Sequence, residues 1–158
     1  MRTHREQNTR DTWHELHDPE HIQPVPRRAS VMVLGADPAD RMTLVTELLR
    51  DGYHVIEAHH EADLVDMAVD RMLHAQSTPG VDLVVADLRR HGHRGLHALA
   101  LLRQAEWFTP LVVLLNEGDQ EGQREAERLG AGALFVGRLD LDDFRMAVLN
   151  LVEPMWPA

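Results

Sequence analysis

Five short apolar runs, each followed by a segment of helical periodicity, constrain this chain more than any other feature. The runs are Val31–Leu34, Tyr53–Ala58, Val81–Ala86, Pro110–Leu115 and Ala133–Val136. Runs this short, with little polar alternation, read as strands buried on both faces of a sheet. Between them, Pro38-Ala39-Asp40 opens a helix whose Met42, Leu44, Val45, Leu48 and Leu49 are spaced for one apolar face, stopped by Asp51-Gly52. Glu61–Ala75 predicts a second helix with Leu64, Val65, Ala68, Met72 and Leu73 inward. Gly95–Gln104, a polar segment Asp119–Leu129, and Leu139–Val152 supply three more. Strict strand–helix alternation predicts an α/β fold: a doubly wound (βα)5 parallel sheet joined by right-handed crossovers.

The chain has 158 residues, enough for one domain with a real core. Residues 1–29 form a separate polar region rich in His, Arg, Glu and Asp, ending in the linker-like Pro24-Val25-Pro26-Arg27-Arg28. A short helix around Asp11 to His17 is compatible with its pattern, but it buries too little to hold itself. Residues 30–153 carry the alternating pattern. Residues 154–158 form a short tail that Pro154 separates from the last helix, leaving Trp156 to pack back or meet a partner.

With 44% apolar residues the chain is globular in composition, and no stretch approaches membrane-span length. Met1–Gln7 is polar with no apolar stretch after it, so a secretory signal is not expected. Absent cysteine removes disulfides, thiolate nucleophiles and thiolate metal sites, and a cytoplasmic location is expected. A net charge of −10 argues against nucleic acid and anionic membrane as partners. All 16 basic residues counted as Lys+Arg are arginine, so no lysine is available to grip a phosphate or form a Schiff base.

Asp87 ends the third apolar run, at the carboxyl tip of a buried strand, which is where functional carboxylates sit in open α/β sheets. The first run ends instead in Gly35-Ala36-Asp37-Pro38, with no acidic pair. Asp37 could offer a metal-binding carboxylate from the adjacent position, but strand alternation turns neighbouring side chains apart, and directly before Pro38 it reads rather as a helix N-cap.

These residues resemble the receiver domain of two-component response regulators. The resemblance runs ungapped from Val31 to about Val152. It rests on Asp37-Pro38-Ala39-Asp40-Arg41, Gly52-Tyr53-His54-Val55, Asp82-Leu83-Val84-Val85-Ala86-Asp87-Leu88 with Gly95-Leu96, Pro110–Leu114, and Leu129-Gly130-Ala131. It implies a flavodoxin-like strand order of 2-1-3-4-5 and places the phosphoacceptor on Asp87. The family's other site positions are not filled in kind. Its acidic pair falls on Gly35 and Ala36, its phosphoryl-sensing hydroxyl on Leu115, its lysine on Gly137 and the following proline on Arg138. Its switching aromatic falls on Leu134, beside Phe135, and its loop proline on His91.

Mg²⁺ needs more than one carboxylate to be held, so binding at Asp87 is not expected and no cofactor is assigned. Phosphoryl transfer depends on positioning and charge neutralisation, both diminished here. The expectation is a non-enzymatic, stand-alone pseudo-receiver that acts through protein contacts, with phosphorylation at Asp87 absent or vestigial. Its partner would be a histidine kinase or another signalling protein, or a second copy in a homodimer. The contact surface would be the fourth helix, the Leu134-Phe135 strand and the fifth helix, of which the fourth helix and the strand read equally as an ordinary solvated helix over a buried strand. An alternative keeps Asp87 as a working phosphoacceptor in a phosphorelay, with a partner supplying the missing groups. Arg138 could then stand in for the lost cation, and Asp87 could otherwise simply pair with Arg89, Arg90 or Arg138. A further alternative is metal binding by His14, His17 and His21 or by His91, His93 and His97.

Overall fold

The computed structural model describes residues 28–74, 80–90 and 93–152. The readings made above for the His14/His17/His21 set, the 11–17 segment, His91 and Trp156 lie outside the described residues. Within them the elements alternate without exception. They run β1 (Ser30–Gly35), α1 (Pro38–Arg50), β2 (His54–Ala58), α2 (Glu61–Leu73), β3 (Leu83–Asp87) and α3 (Arg94–Gln104), then β4 (Leu111–Leu115), α4 (Gln120–Arg128), β5 (Ala133–Val136) and α5 (Leu141–Val152). All strand pairs are parallel, in the order β2-β1-β3-β4-β5. This is the flavodoxin-like topology.

Strand alternation divides the core into two layers. One face carries Met32, Leu34, Val84, Ala86, Val113 and Leu115 under α2, α3 and α4. The other carries Val31, Val33, Val85, Val112 and Leu114 under α1 and α5, with Phe144 and Val148. Strands with apolar side chains on both faces must be covered on both, and the five helices do this.

Two helical expectations need correction. Met42 and Leu49 of α1 are 58% and 57% exposed, and Leu44, Val45 and Leu48 alone face the sheet. Helix α1 lies over the β1–β2 edge, and α5 is its one helical neighbour on that face, so two of the five residues of its apolar stripe are left uncovered. In α2, Leu64 and Ala68 are buried and Val65 packs partly against the core, but Leu73 is 74% exposed. Met72 is likewise exposed. Both lie in the last turn, beyond the sheet.

Arg103 ties off the end of α3 without a carboxylate. Its Nε donates to the Leu129 carbonyl at 3.2 Å, and its Nη1 donates to the carbonyls of Trp107 and Thr109 at 2.9 and 2.8 Å. Burial holds the guanidinium below its ordinary pKa.

Phe144 is fully buried and meets Phe135 edge-on at 6.3 Å between centroids. Phe144→Ala should cost about 3–5 kcal/mol. Urea denaturation would read this as a lowered midpoint at unchanged slope.

Candidate functional site

Parallel register sets the geometry at the carboxyl edge of the sheet. Gly35 lies opposite Asp87, and Asp87 opposite Leu114. Asp87 follows Val85 in strand parity, so its side chain belongs to the α1–α5 side, and it is 6% exposed.

Asp87 is not free. Arg89 Nε donates to Oδ1 at 2.8 Å and Arg89 Nη2 donates to Oδ2 at 2.8 Å, a two-pronged grip from two residues downstream. The Arg89 backbone N–H also donates to Oδ1, at 3.3 Å. Hydrogen bonding to Asp87, set against burial, raises the Arg89 pKa above its ordinary value. A charge-assisted pair of this kind contributes about 1.5–3 kcal/mol. Freeing the carboxylate therefore costs one to two orders of magnitude in population. The carbonyl of Arg89 in turn accepts from Asn116 Nδ2, which fastens this loop to the one after β4.

Around the fork the other acids and arginines are also matched. Asp37 caps α1, its Oδ2 accepting from the Asp40 N–H at 2.9 Å. Arg90 Nε donates to Asp40 Oδ2 at 2.8 Å and lies 3.9 Å from Asp37 Oδ1. That bond to Arg90 holds the Asp40 carboxyl below its usual range. Arg41 donates to the Gly35 carbonyl at 2.6 Å and to Glu57 at 3.2 Å.

No family model matches the chain, and neither does any curated protein. Solved structures do. A response regulator receiver domain protein from Clostridium thermocellum is 17% identical with a TM-score of 0.66, covering 80% of this chain and 96% of that one. A receiver protein from Pseudomonas putida is 20% identical at TM-score 0.65, covering 80% and 99%. The chemotaxis protein CheY4 of Vibrio cholerae is 19% identical at TM-score 0.64, covering 79% and 99%. The chain has the receiver-domain fold.

Set on that receiver fold, each position singled out in the sequence has a definite place. Gly35 leaves room: a Cβ there would lie 3.7 Å from the Asp87 Cβ and 3.5 Å from the Arg41 Cβ, ordinary contact distances. Ala36 lines a cavity of about 800 Å³ with Leu34, His59, Asp87, Leu88 and Arg94. Leu115 is fully buried, and its strand parity puts it in the layer opposite Asp87. Gly137 sits at φ +82°, where a lysine side chain would strain the backbone. Arg138 is exposed and lines a cavity of about 370 Å³ with Asp40, Arg89, Arg90, Asn116 and Gly137. It is Arg89, from the neighbouring loop, that takes the carboxylate. Leu134 and Phe135 are both half-buried and pack into opposite core layers.

The donor set does not fit Mg²⁺. Gly35 and Ala36 bring no oxygen side chain, both Asp87 oxygens are held by Arg89, and the nearby Arg89 carbonyl is engaged by Asn116. Among the described residues no group of three His, Asp or Glu side chains converges as a metal site. His93, from the acceptor-loop histidine set, turns instead to Asp119.

Sequence reasoning passed over Arg41, Asn116 and the Arg90–Asp40 pair. Only the two-residue spacing of Asp87 and Arg89 was available as a signal; the rest depends on which loops the sheet brings together.

Asp40, Asp51 and Asp119 are all held below the ordinary carboxyl value of 3.8, first by hydrogen bonds from Arg90, Arg145 and His93 respectively. Such groups contribute stability that is complete above the ordinary value and lost as pH falls through the depressed one. These three groups should thus lower stability as pH falls from about 5 to below about 4. Urea midpoints across that range check this, and Asp51→Asn, which removes the forked bond to Arg145, should flatten the acid limb.

Proposed function

We propose that this chain is a receiver-like signalling module in a two-component-type pathway. It works by protein–protein contact, with phosphorylation at Asp87 absent or vestigial. The observation that carries the reading is the Arg89 fork on Asp87. A phosphoacceptor must present a free oxygen to an incoming phosphoryl group, and its negative charge is normally offset by metal and lysine. Here an arginine of the same loop performs the neutralisation, and it donates to both carboxylate oxygens while doing so. Leu115 and Gly137 could not report a phosphoryl group in any case, because a switch needs contacts that differ between its two states.

The partner is inferred to be a signalling protein such as a histidine kinase, or a second copy of this chain, and the setting to be the cytoplasm. No helix among the described residues is long and apolar enough to cross a membrane. The proposed contact surface is α4 together with the outer edge of β5. Leu134 and Phe135 contribute there by shaping the strand from within, while Val136 is the exposed apolar residue of that edge.

Incubation with acetyl phosphate and Mg²⁺, followed by intact mass and peptide mapping, tests the reading. The natural chain should give no adduct at Asp87. Gly35→Asp combined with Arg89→Ala should give one, because the first supplies a carboxylate where space exists and the second releases Asp87. Each single variant should fall well short of the pair. An acyl phosphate on Asp87 of the natural chain, accompanied by a change in structure or oligomeric state, would overturn the proposal.

A further inference from the structure

Helix α4 is held to the body of the domain by little apolar surface. Its nine residues are QEGQREAER, and only Gly122 and Ala126 are buried. Its seating therefore depends on polar contacts at its first turn. Asp119 caps the helix, Oδ1 accepting from the Gly122 N–H at 2.9 Å. The same carboxylate receives His93 Nε2, at 2.9 Å from Oδ1 and 2.8 Å from Oδ2. Carboxylate oxygens only accept, so Nε2 carries the proton. His93 precedes α3 and makes no cap of its own, since its ring is spent on this contact.

Gly122 is the residue that permits the arrangement. A Cβ there would lie 2.6 Å from Asp119 Oδ2, inside contact distance. With glycine here, one carboxylate caps α4 and reaches His93 without that close contact. The His93 and Asp119 side chains are 24% and 22% exposed, sheltered enough for charge to matter.

We infer that the His93–Asp119 contact is a proton-responsive clamp between the β3–α3 and β4–α4 loops, setting how firmly α4 is seated. Histidine is the side chain whose charge changes near neutral pH. The protonated ring gives Asp119 an ion pair and a hydrogen bond; the neutral ring retains at most the bond. The clamp is tighter on the acid side of the imidazole titration and looser above it. Far into acid it opens again, as Asp119 protonates below the usual carboxyl range.

Among the described residues, the other ionisable groups on the segments that meet here do not duplicate this role. Arg89 is committed to Asp87, Arg90 to Asp40, and Arg94 lies 4.0 Å from Glu61. His97, on the next turn of α3, is exposed, as are Glu117, Glu121 and Arg124 across the gap. The inference goes beyond the proposed function and does not depend on whether Asp87 takes a phosphoryl group.

The test is a pH titration of the full, ¹⁵N-labelled chain from about pH 5 to about pH 8.5, the span over which histidine changes charge, following histidine ring signals and α4 amides without phosphodonor or metal. The Gly122 amide and its α4 neighbours should move with the His93 ring and share its midpoint. His93→Gln should abolish that movement, while His97→Gln leaves it intact. Asp119→Asn retains a capping side chain but no charge, and should remove most of the movement without unfolding α4. Stationary α4 amides while His93 titrates would overturn the inference, as would equal movement in His93→Gln. A phosphorylated Asp87 would sink the proposed function and leave this result untouched.

Discussion

The fork between Arg89 and Asp87 is the interaction on which the character of this site depends. A carboxylate at the carboxyl edge of a parallel sheet, 6% exposed, cannot remain unpaired without cost. In a site with a metal and a lysine, those cations bear the compensation, and both can leave or move. Here compensation comes from a guanidinium two residues away on the same chain, with two parallel bonds and a loop carbonyl anchored by Asn116. A covalently tethered counter-ion has a high effective concentration and competes continuously with anything arriving from solution. The carboxylate is thus compensated from within its own loop.

The remaining changes at this edge follow the same logic. Gly35 faces Asp87 across the register and brings no second negative charge, so a single arginine suffices. Gly137 takes a left-handed conformation that suits a glycine and not a lysine. The two aspartates nearby, Asp37 and Asp40, are turned to capping α1 and holding Arg90. Charges that could have gathered around a metal are distributed in pairs. What continues past the fork is mechanical linkage: Asn116 to the Arg89 carbonyl, and His93 to Asp119 at the start of a sparsely packed α4. Both contacts join the β3–α3 loop to the segment that leads into α4.

Much of the fold was legible because parallel strands buried on both faces leave an unmistakable mark. Val31–Leu34 and Leu111–Leu115 have no polar face to conceal. Asp37 before Pro38 announced the start of α1, and Gly52 its end. The misreadings were Met42, Leu49, Met72 and Leu73. Periodicity reports that a stripe is apolar, whereas burial depends on what lies opposite, and at a sheet edge or past the last strand nothing does. The position of Asp87 was readable from its place at a strand end. Its partner was not, because Arg89, Arg90 and Arg138 are equivalent cations until loop geometry selects one.

The sequence by itself determined that the chain forms a doubly wound sheet, that one carboxylate stands at the carboxyl edge, and that no lysine accompanies it. These follow from residue identity and spacing, which act over a few neighbours. Tertiary structure alone decided that Arg89 closes over Asp87, that Arg90 is diverted to Asp40, and that His93 meets Asp119 across 26 residues of chain. Contacts between loops depend on strand register and helix seating, and those are properties of the packed whole. A charged side chain of several rotatable bonds finds its partner only when the backbone around it is already in place.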